Sequence, residues 1–348
     1  MSFMTMGAWI RKYLLFMLLL PAVLITHAQD VHFSQFFEAP LLRNPALAGI
    51  YTGDVRVQLV MRDQWRSVTD AYRTGSLNLE YKMPVGKGDD FITAGGQLLY
   101  DKAGTVGLVS THILPAFNYH KSLSDEKTMY LALGFMGGLI RKTFDISKMT
   151  TDEQYQGGFD PSLPTGENFG APNISSWDGS VGLSFNTTFG NNEANSMFAG
   201  AAYHHLNRPK NSFYRDETIE LNPKYVFSTG IKLRVNDYAH FIIQADHSIQ
   251  GAYSQTIGGA LYSYHIGDQP DNPLYTIHAG AFLRWKDALI PVLKIDKHPM
   301  SLAISYDVNV SPLKTASQGR GGFELSLAYI GFLNRENSSR DKVLCPKF

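Results

Sequence analysis

The chain has one cysteine in 348 residues, Cys345. A single thiol closes no internal disulfide and builds no thiolate metal cluster. Net charge is lacking as well, because 31 Lys and Arg balance 31 Asp and Glu. That removes the electrostatic case for nucleic acid, so no such partner is expected. Beyond residue 28 no apolar run is long enough to cross a bilayer as a helix. The nearest, Met129 to Ile140, is interrupted by Gly134, Gly137 and Gly138. A helical membrane bundle is excluded; a β-barrel, whose lumen and loops are polar, is not. There is no Gly-x-Ser-x-Gly nucleophile elbow and no Gly-x-x-x-x-Gly-Lys phosphate loop. The sequence therefore reads as a non-enzyme, with no catalytic, cofactor-binding or metal-ligating residues and no cofactor.

What is there begins with a leader. Arg11 and Lys12 precede an apolar run from Tyr13 to Ile25, and Thr26-His27-Ala28 has the small residues of a cleavage site. Residues 1–28 are expected to be a signal peptide, with an N-terminal membrane anchor as the alternative, and the mature chain to start near Gln29. Residues 29–53 hold Pro40, Pro45 and Gly49 and do not read as a strand. They are expected to form a plug or clasp against the inner wall, with Phe33, Phe36 and Phe37 as anchors.

From residue 54 the dominant signal is period-two alternation in segments of about ten residues, the signature of a transmembrane barrel. Val55, Val57, Leu59 and Met61 share one face, whereas Arg56, Gln58, Arg62 and Gln64 share the other. The pattern predicts strands at 54–66, 72–83, 91–101, 108–121, 128–142, 177–189, 196–206, 225–234, 240–249, 254–266, 276–286, 289–296, 300–310 and 321–332. The fold expected is all-β: an outer-membrane barrel of about 14 antiparallel strands over residues 54–333, followed by a tail, 334–348. Its long connections, 143–176 and 207–224, both follow odd-numbered strands and fall on one rim; most turns on the other rim are short, 267–275 being the exception. A soluble sandwich or propeller also alternates, but strands of ten residues are long for either, and no blade-length repeat is present.

Several motifs occur in order along the chain: Phe33-Ser34-Gln35; Asn44-Pro45-Ala46 before Gly49; Arg62-Asp63-Gln64-Trp65; Asp178 to Phe185; His204-His205-Leu206 with Pro209; Ser305-Tyr306-Asp307-Val308-Asn309; Gly321 to Tyr329; and Cys345-Pro346. Together they resemble the PorP/SprF family of Bacteroidetes outer-membrane proteins. The resemblance implies an accessory of type IX secretion, in some members of gliding motility. It implies as partners outer-membrane lipid, a large secreted surface protein with a C-terminal sorting domain, and periplasmic secretion components. An outer-membrane channel or hydrophobic-solute transporter is the alternative. Phe33, Ser34, Gln35, Asn44, Pro45, Ala46, Gly49, Gln64, Trp65, His205, Leu206, Pro209, Tyr306, Asp307 and Asn309 are the family-motif positions, expected to serve structure or partner contact.

Two groups invite a metal reading. His204 and His205 are adjacent, so in a strand they would face opposite ways and not share an ion. Asp307 and Asn309 share a face, where calcium is conceivable but hydrogen bonding in a polar lumen is the simpler account. Asp152, Glu153 and Asp160 read as a solvated loop. Trp65, Trp177 and Trp285 fall near strand ends, as an interfacial belt requires.

Overall fold

The structure is a computed structural model, and it describes residues 30–64, 72–86, 88–125, 127–169, 171–190, 194–270, 272–311 and 319–334. The expected leader, Trp65, Cys345 and nearly all of the tail lie outside them. Fourteen antiparallel strands close into one barrel. They are β1 (Val55–Gln64), β2 (Tyr72–Pro84), β3 (Phe91–Ala103), β4 (Leu108–Ser122), β5 (Met129–Thr143), β6 (Asn173–Phe189), β7 (Asn195–His204), β8 (Lys224–Asn236), β9 (Ala239–Gln250), β10 (Tyr253–Ile266), β11 (Tyr275–Arg284), β12 (Ala288–Lys297), β13 (Met300–Asn309) and β14 (Arg320–Gly331). Each hydrogen-bonds its sequence neighbours, and β1 pairs with β14 from Val55↔Gly331 to Gln64↔Gly322. A bilayer core offers no water to an unpaired N–H or C=O, and the closed ladder leaves no edge to satisfy.

The alternation sorts the side chains as the sequence suggests. On β1, Arg56, Gln58, Val60 and Arg62 are buried in the lumen, while Met61 is exposed on the outer wall. Large apolar residues such as Leu79, Phe117, Leu133, Phe135, Phe227 and Ile243 also face outward. Charged and amide side chains fill the inside.

All fourteen expected strands form, and two boundaries move for identifiable reasons. β6 starts at Asn173 rather than 177, because Asn173 to Ser176 pair with Thr143 to Ile140 although their polar sequence hides the alternation. β7 stops at His204 rather than 206, because His205 takes a left-handed backbone, φ 60°.

Connections after odd-numbered strands meet at one rim. They include the two long ones, 144–172 and 205–223. Turns after even-numbered strands meet at the other; most are short, and 267–274 is the longest.

Candidate functional site

Residues 33–50 lie inside the barrel. A 3₁₀ turn (Phe36–Glu38), one helical turn α1 (Pro40–Arg43) and a second 3₁₀ turn (Pro45–Leu47) follow one another. Pro40 and Pro45 each stand at the first position of a turn, where proline needs no donor and its fixed φ suits the helix. Asn44 caps the second turn by accepting from Ala46 N at 2.8 Å.

The first motif meets a cluster of charge. The Glu324 carboxylate accepts from the backbone N–H of Ser34 and of Gln35, at 2.7 Å each. Ser34 Oγ donates to Asp307 Oδ1 at 2.6 Å, and Gln35 Nε2 donates to Ser305 Oγ at 3.0 Å. Arg62 bridges Asp307 (3.0 Å) and Glu324 (3.1 Å); Arg284 pairs with Asp307 (2.8 Å) and with Ser34 Oγ. All of these side chains are buried. Two guanidinium groups therefore face two carboxylates, and the hydroxyl and amides of the Ser-Gln pair take up further lone pairs. Such pairing offsets much of the desolvation of buried charge, although Arg62 Nε, Arg284 Nε and Gln35 Oε1 make no hydrogen bond among the described residues. Asp307 spends its oxygens on two arginines and a serine, so luminal hydrogen bonding accounts for it.

The rest of the segment is held in the same manner. Glu38 accepts from Lys294 at 2.7 Å and from Gln58 at 3.2 Å. Arg43 donates twice to Asp246, at 2.8 and 2.6 Å, and lies 4.7 Å over the Phe36 ring. Phe36 meets Phe282 edge-on at 5.3 Å and Phe37 stacks on it at 5.2 Å. Phe33 packs with Ala39 and Val60. Asn44 Nδ2 donates to Leu183 O at 3.0 Å, Ser184 Oγ to Ala46 O at 2.9 Å, and Asn118 Nδ2 to Ala48 O at 3.0 Å. At Gly49, φ is +84° and a Cβ would come within 2.2 Å of Thr93 Oγ1, so glycine is required twice over. Its N–H donates to Glu80, which also pairs with Arg56.

These partners give the segment a direction. Arg62, Arg284, Asp307 and Glu324 sit toward the long-loop ends of β1, β11, β13 and β14. Glu80, Asn118 and His120 sit toward the short-turn ends of β2 and β4. The segment therefore starts near the long-loop rim and leaves at the opposite one, where the chain reverses into β1.

The motifs are thus one contact surface folded from distant parts of the chain. Phe33-Ser34-Gln35 touches Ser305 and Asp307 of the late motif. Asn44-Pro45-Ala46 touches the central strand at Gly182, Leu183 and Ser184. His204 bridges Ser180 Oγ (3.0 Å) and the Arg43 carbonyl (3.2 Å), and His205 Nδ1 lies 2.9 Å from Asp178 Oδ2. The argument that the two histidines must face opposite ways therefore fails, since the turn at His205 buries both. They keep separate partners, and among the described residues no group of three His, Cys, Asp or Glu is placed to hold a metal.

Other motif positions are not part of this surface. Tyr306 faces outward, Leu206 is exposed while its N–H donates to Gly179 O (2.9 Å), Pro209 accepts from Leu221 N (2.9 Å), and Gln64 ends β1 half-buried. Asn309 is buried at the end of β13, its N–H on Gly319 O at 3.2 Å. Sequence reasoning missed Glu324, Arg284, Asp246, Glu80 and Lys294 as partners. Their signal was present, charged residues at lumen-facing positions, but a wetted lumen accounts for these equally well. Asn44→Ala should lower stability by about 1 kcal/mol, since a cap and a wall hydrogen bond go together. Thermal unfolding of the folded band on a gel checks this.

At the long-loop rim the two long connections pack on each other. Phe144 meets Phe169 at 4.9 Å and Phe213 at 4.7 Å, Ala171 N donates to Phe213 O at 3.3 Å, and Tyr214 Oη donates to Glu167 at 2.5 Å. Asp145, Asp160 and Asp216 accept from Ser147, Ser162 and Thr218 in the same loops. Those bonds hold all three carboxyls below the usual range. A depressed carboxyl keeps its contribution above its unfolded pKa and loses it only as pH falls through the lowered one, so these turns persist from neutral pH into mild acid.

Comparison with known proteins completes the description. Among solved structures, the Pseudomonas putida toluene transporter TodX is 12% identical, with TM-score 0.47, and covers 84% of this chain and 92% of its own. The translocator domain of autotransporter NalP from Neisseria meningitidis is 11% identical, with TM-score 0.43, over 84% of this chain and 94% of its own. No curated protein sequence matches. The family described as type IX secretion system membrane protein PorP/SprF matches residues 25–329, and the chain belongs to that family.

Proposed function

We propose that this protein sits in the outer membrane as a rigid docking frame for type IX secretion. The long loops 144–172 and 205–223 hold a large secreted surface protein, and the opposite rim meets periplasmic secretion components. The observation that carries this reading is the filled lumen in a member of a secretion family. Wall side chains from β1, β2, β4, β6, β7, β9, β11, β13 and β14 all hydrogen-bond residues 34–49. A barrel braced in this way favours docking over solute passage. Binding residues carried on loops above a rigid scaffold fit the same picture. The segment itself is buried, so a periplasmic partner would meet the short turns and the exposed Thr52 near the start of β1.

Replacing residues 146–169 with a short Gly-Ser linker tests the reading. The barrel should still assemble, shown by its folded mobility, while affinity purification from outer membranes no longer brings down the secreted partner. Unchanged recovery of that partner would refute loop docking.

A further inference from the structure

The outer wall near the long-loop rim is not uniform. Trp177, Tyr225, Trp285, Tyr306 and Phe323 face outward around it, the aromatic girdle of a membrane interface. In one sector the girdle is interrupted by cations. Arg73 on β2, Lys102 on β3 and Arg141 on β5 all point outward at the long-loop ends of their strands. Arg73 and Lys102 are direct cross-strand partners. Like charges placed opposite each other in a sheet repel, so this pairing calls for a counter-charge. Asp63 supplies one at the edge, 3.6 Å from Arg73. Lys102 and Arg141 have no carboxylate partner among the described residues. Immediately toward the midplane β3, β4 and β5 present Leu98, Tyr100, Ile113 and Leu139, all exposed and all apolar or amphipathic. Leu98 pairs with Ile113 and Ile113 with Leu139, so they form a continuous surface.

We propose that this sector, β2 to β5 at the long-loop rim, binds an anionic membrane lipid. Lys102 and Arg141, with Arg73 beside them, take the headgroup, and Leu98, Ile113 and Leu139 take the acyl chains. The charge arrangement favours an anion, and its place between an aromatic girdle and an apolar wall favours one that is amphiphilic. Basic residues beside a membrane surface recognise anionic headgroups in this way. The site concerns the outer wall alone, so it stands or falls separately from loop docking.

The test uses the full mature barrel, purified in neutral detergent, with native mass spectrometry as the readout. Phosphatidylglycerol, phosphatidylcholine and inorganic phosphate are the probes. Phosphatidylglycerol should be retained in preference to phosphatidylcholine. The double variant Lys102→Gln/Arg141→Gln should weaken that retention by more than tenfold, each cation contributing about fivefold. Lys121→Gln, an outward cation at the opposite rim, should leave it unchanged, and the double variant should keep the folded gel mobility of the parent. Equal retention of the two lipids, or full retention by the double variant, overturns the proposal. Displacement of the lipid by equimolar inorganic phosphate also overturns it, because the site would then read a free anion.

Discussion

Gly134→Ala will destabilise the barrel, whereas Gly75→Ala will not. A Cβ at Gly134 would lie 2.4 Å from the backbone N of Ala46 and the carbonyl carbon of Pro45. Backbone cannot rotate aside as a side chain can, so residues 44–48 must move away from the wall. Overpacking of this kind costs about 1–3 kcal/mol, occasionally more. Two comparisons make the result specific. Gly75 has open space around its Cβ position, so Gly75→Ala should be neutral or slightly stabilising. At Gly182 the clash is with the Asn44 side chain, which can swing, so the effect there should be intermediate. The midpoint for loss of the folded gel mobility on heating orders the three. Equal midpoints for Gly134→Ala and Gly75→Ala would mean that residues 45 and 46 do not press on the wall.

The second large effect is expected at Glu324. Glu324→Ala strips the acceptor from two backbone N–H groups and takes away one of the two carboxylates paired with Arg62. Removing one partner of a buried charge pair costs about 3–5 kcal/mol, because the remaining charge stays buried. Glu324→Gln preserves the shape and one acceptor oxygen, and should cost less. The loss falls where Ser34 and Gln35 are fastened, upstream of Arg43, which gives a local readout. Arg43 is buried and paired with Asp246, so trypsin should spare it in the native barrel. In Glu324→Ala, cleavage after Arg43 should appear while the strands remain protected. A variant as resistant as the parent would show that the segment does not depend on this clamp.

Much of the barrel was legible in the sequence because its two faces meet different solvents. Lipid outside and polar contacts inside impose a period of two, and that period survives without any other information. Where the outer partner is water rather than lipid, the pattern fades, as at Asn173 to Ser176, where β6 rises past the expected boundary. The left-handed turn at His205 was equally hidden, because neither neighbour is a glycine. The motifs were legible as motifs, yet their common purpose was not. Ser34 and Glu324 are 290 residues apart, and nothing local in either says that they touch. The pairing of Arg43 with Asp246 is hidden for the same reason. A polar lumen needs charged side chains regardless, which kept each of them individually unremarkable.

The clamp has a consequence for the order in which the molecule is completed. Ser34 and Gln35 are synthesised ahead of every strand, and the groups that fix them belong to β11, β13 and β14, among the last strands to be made. Their bonds cannot form until the final strand has taken its place beside the first. The earliest part of the chain must therefore wait, unfastened, for the latest, and a chain cut short before β14 could not secure it. The fastened segment is in effect a record that the last strand has arrived.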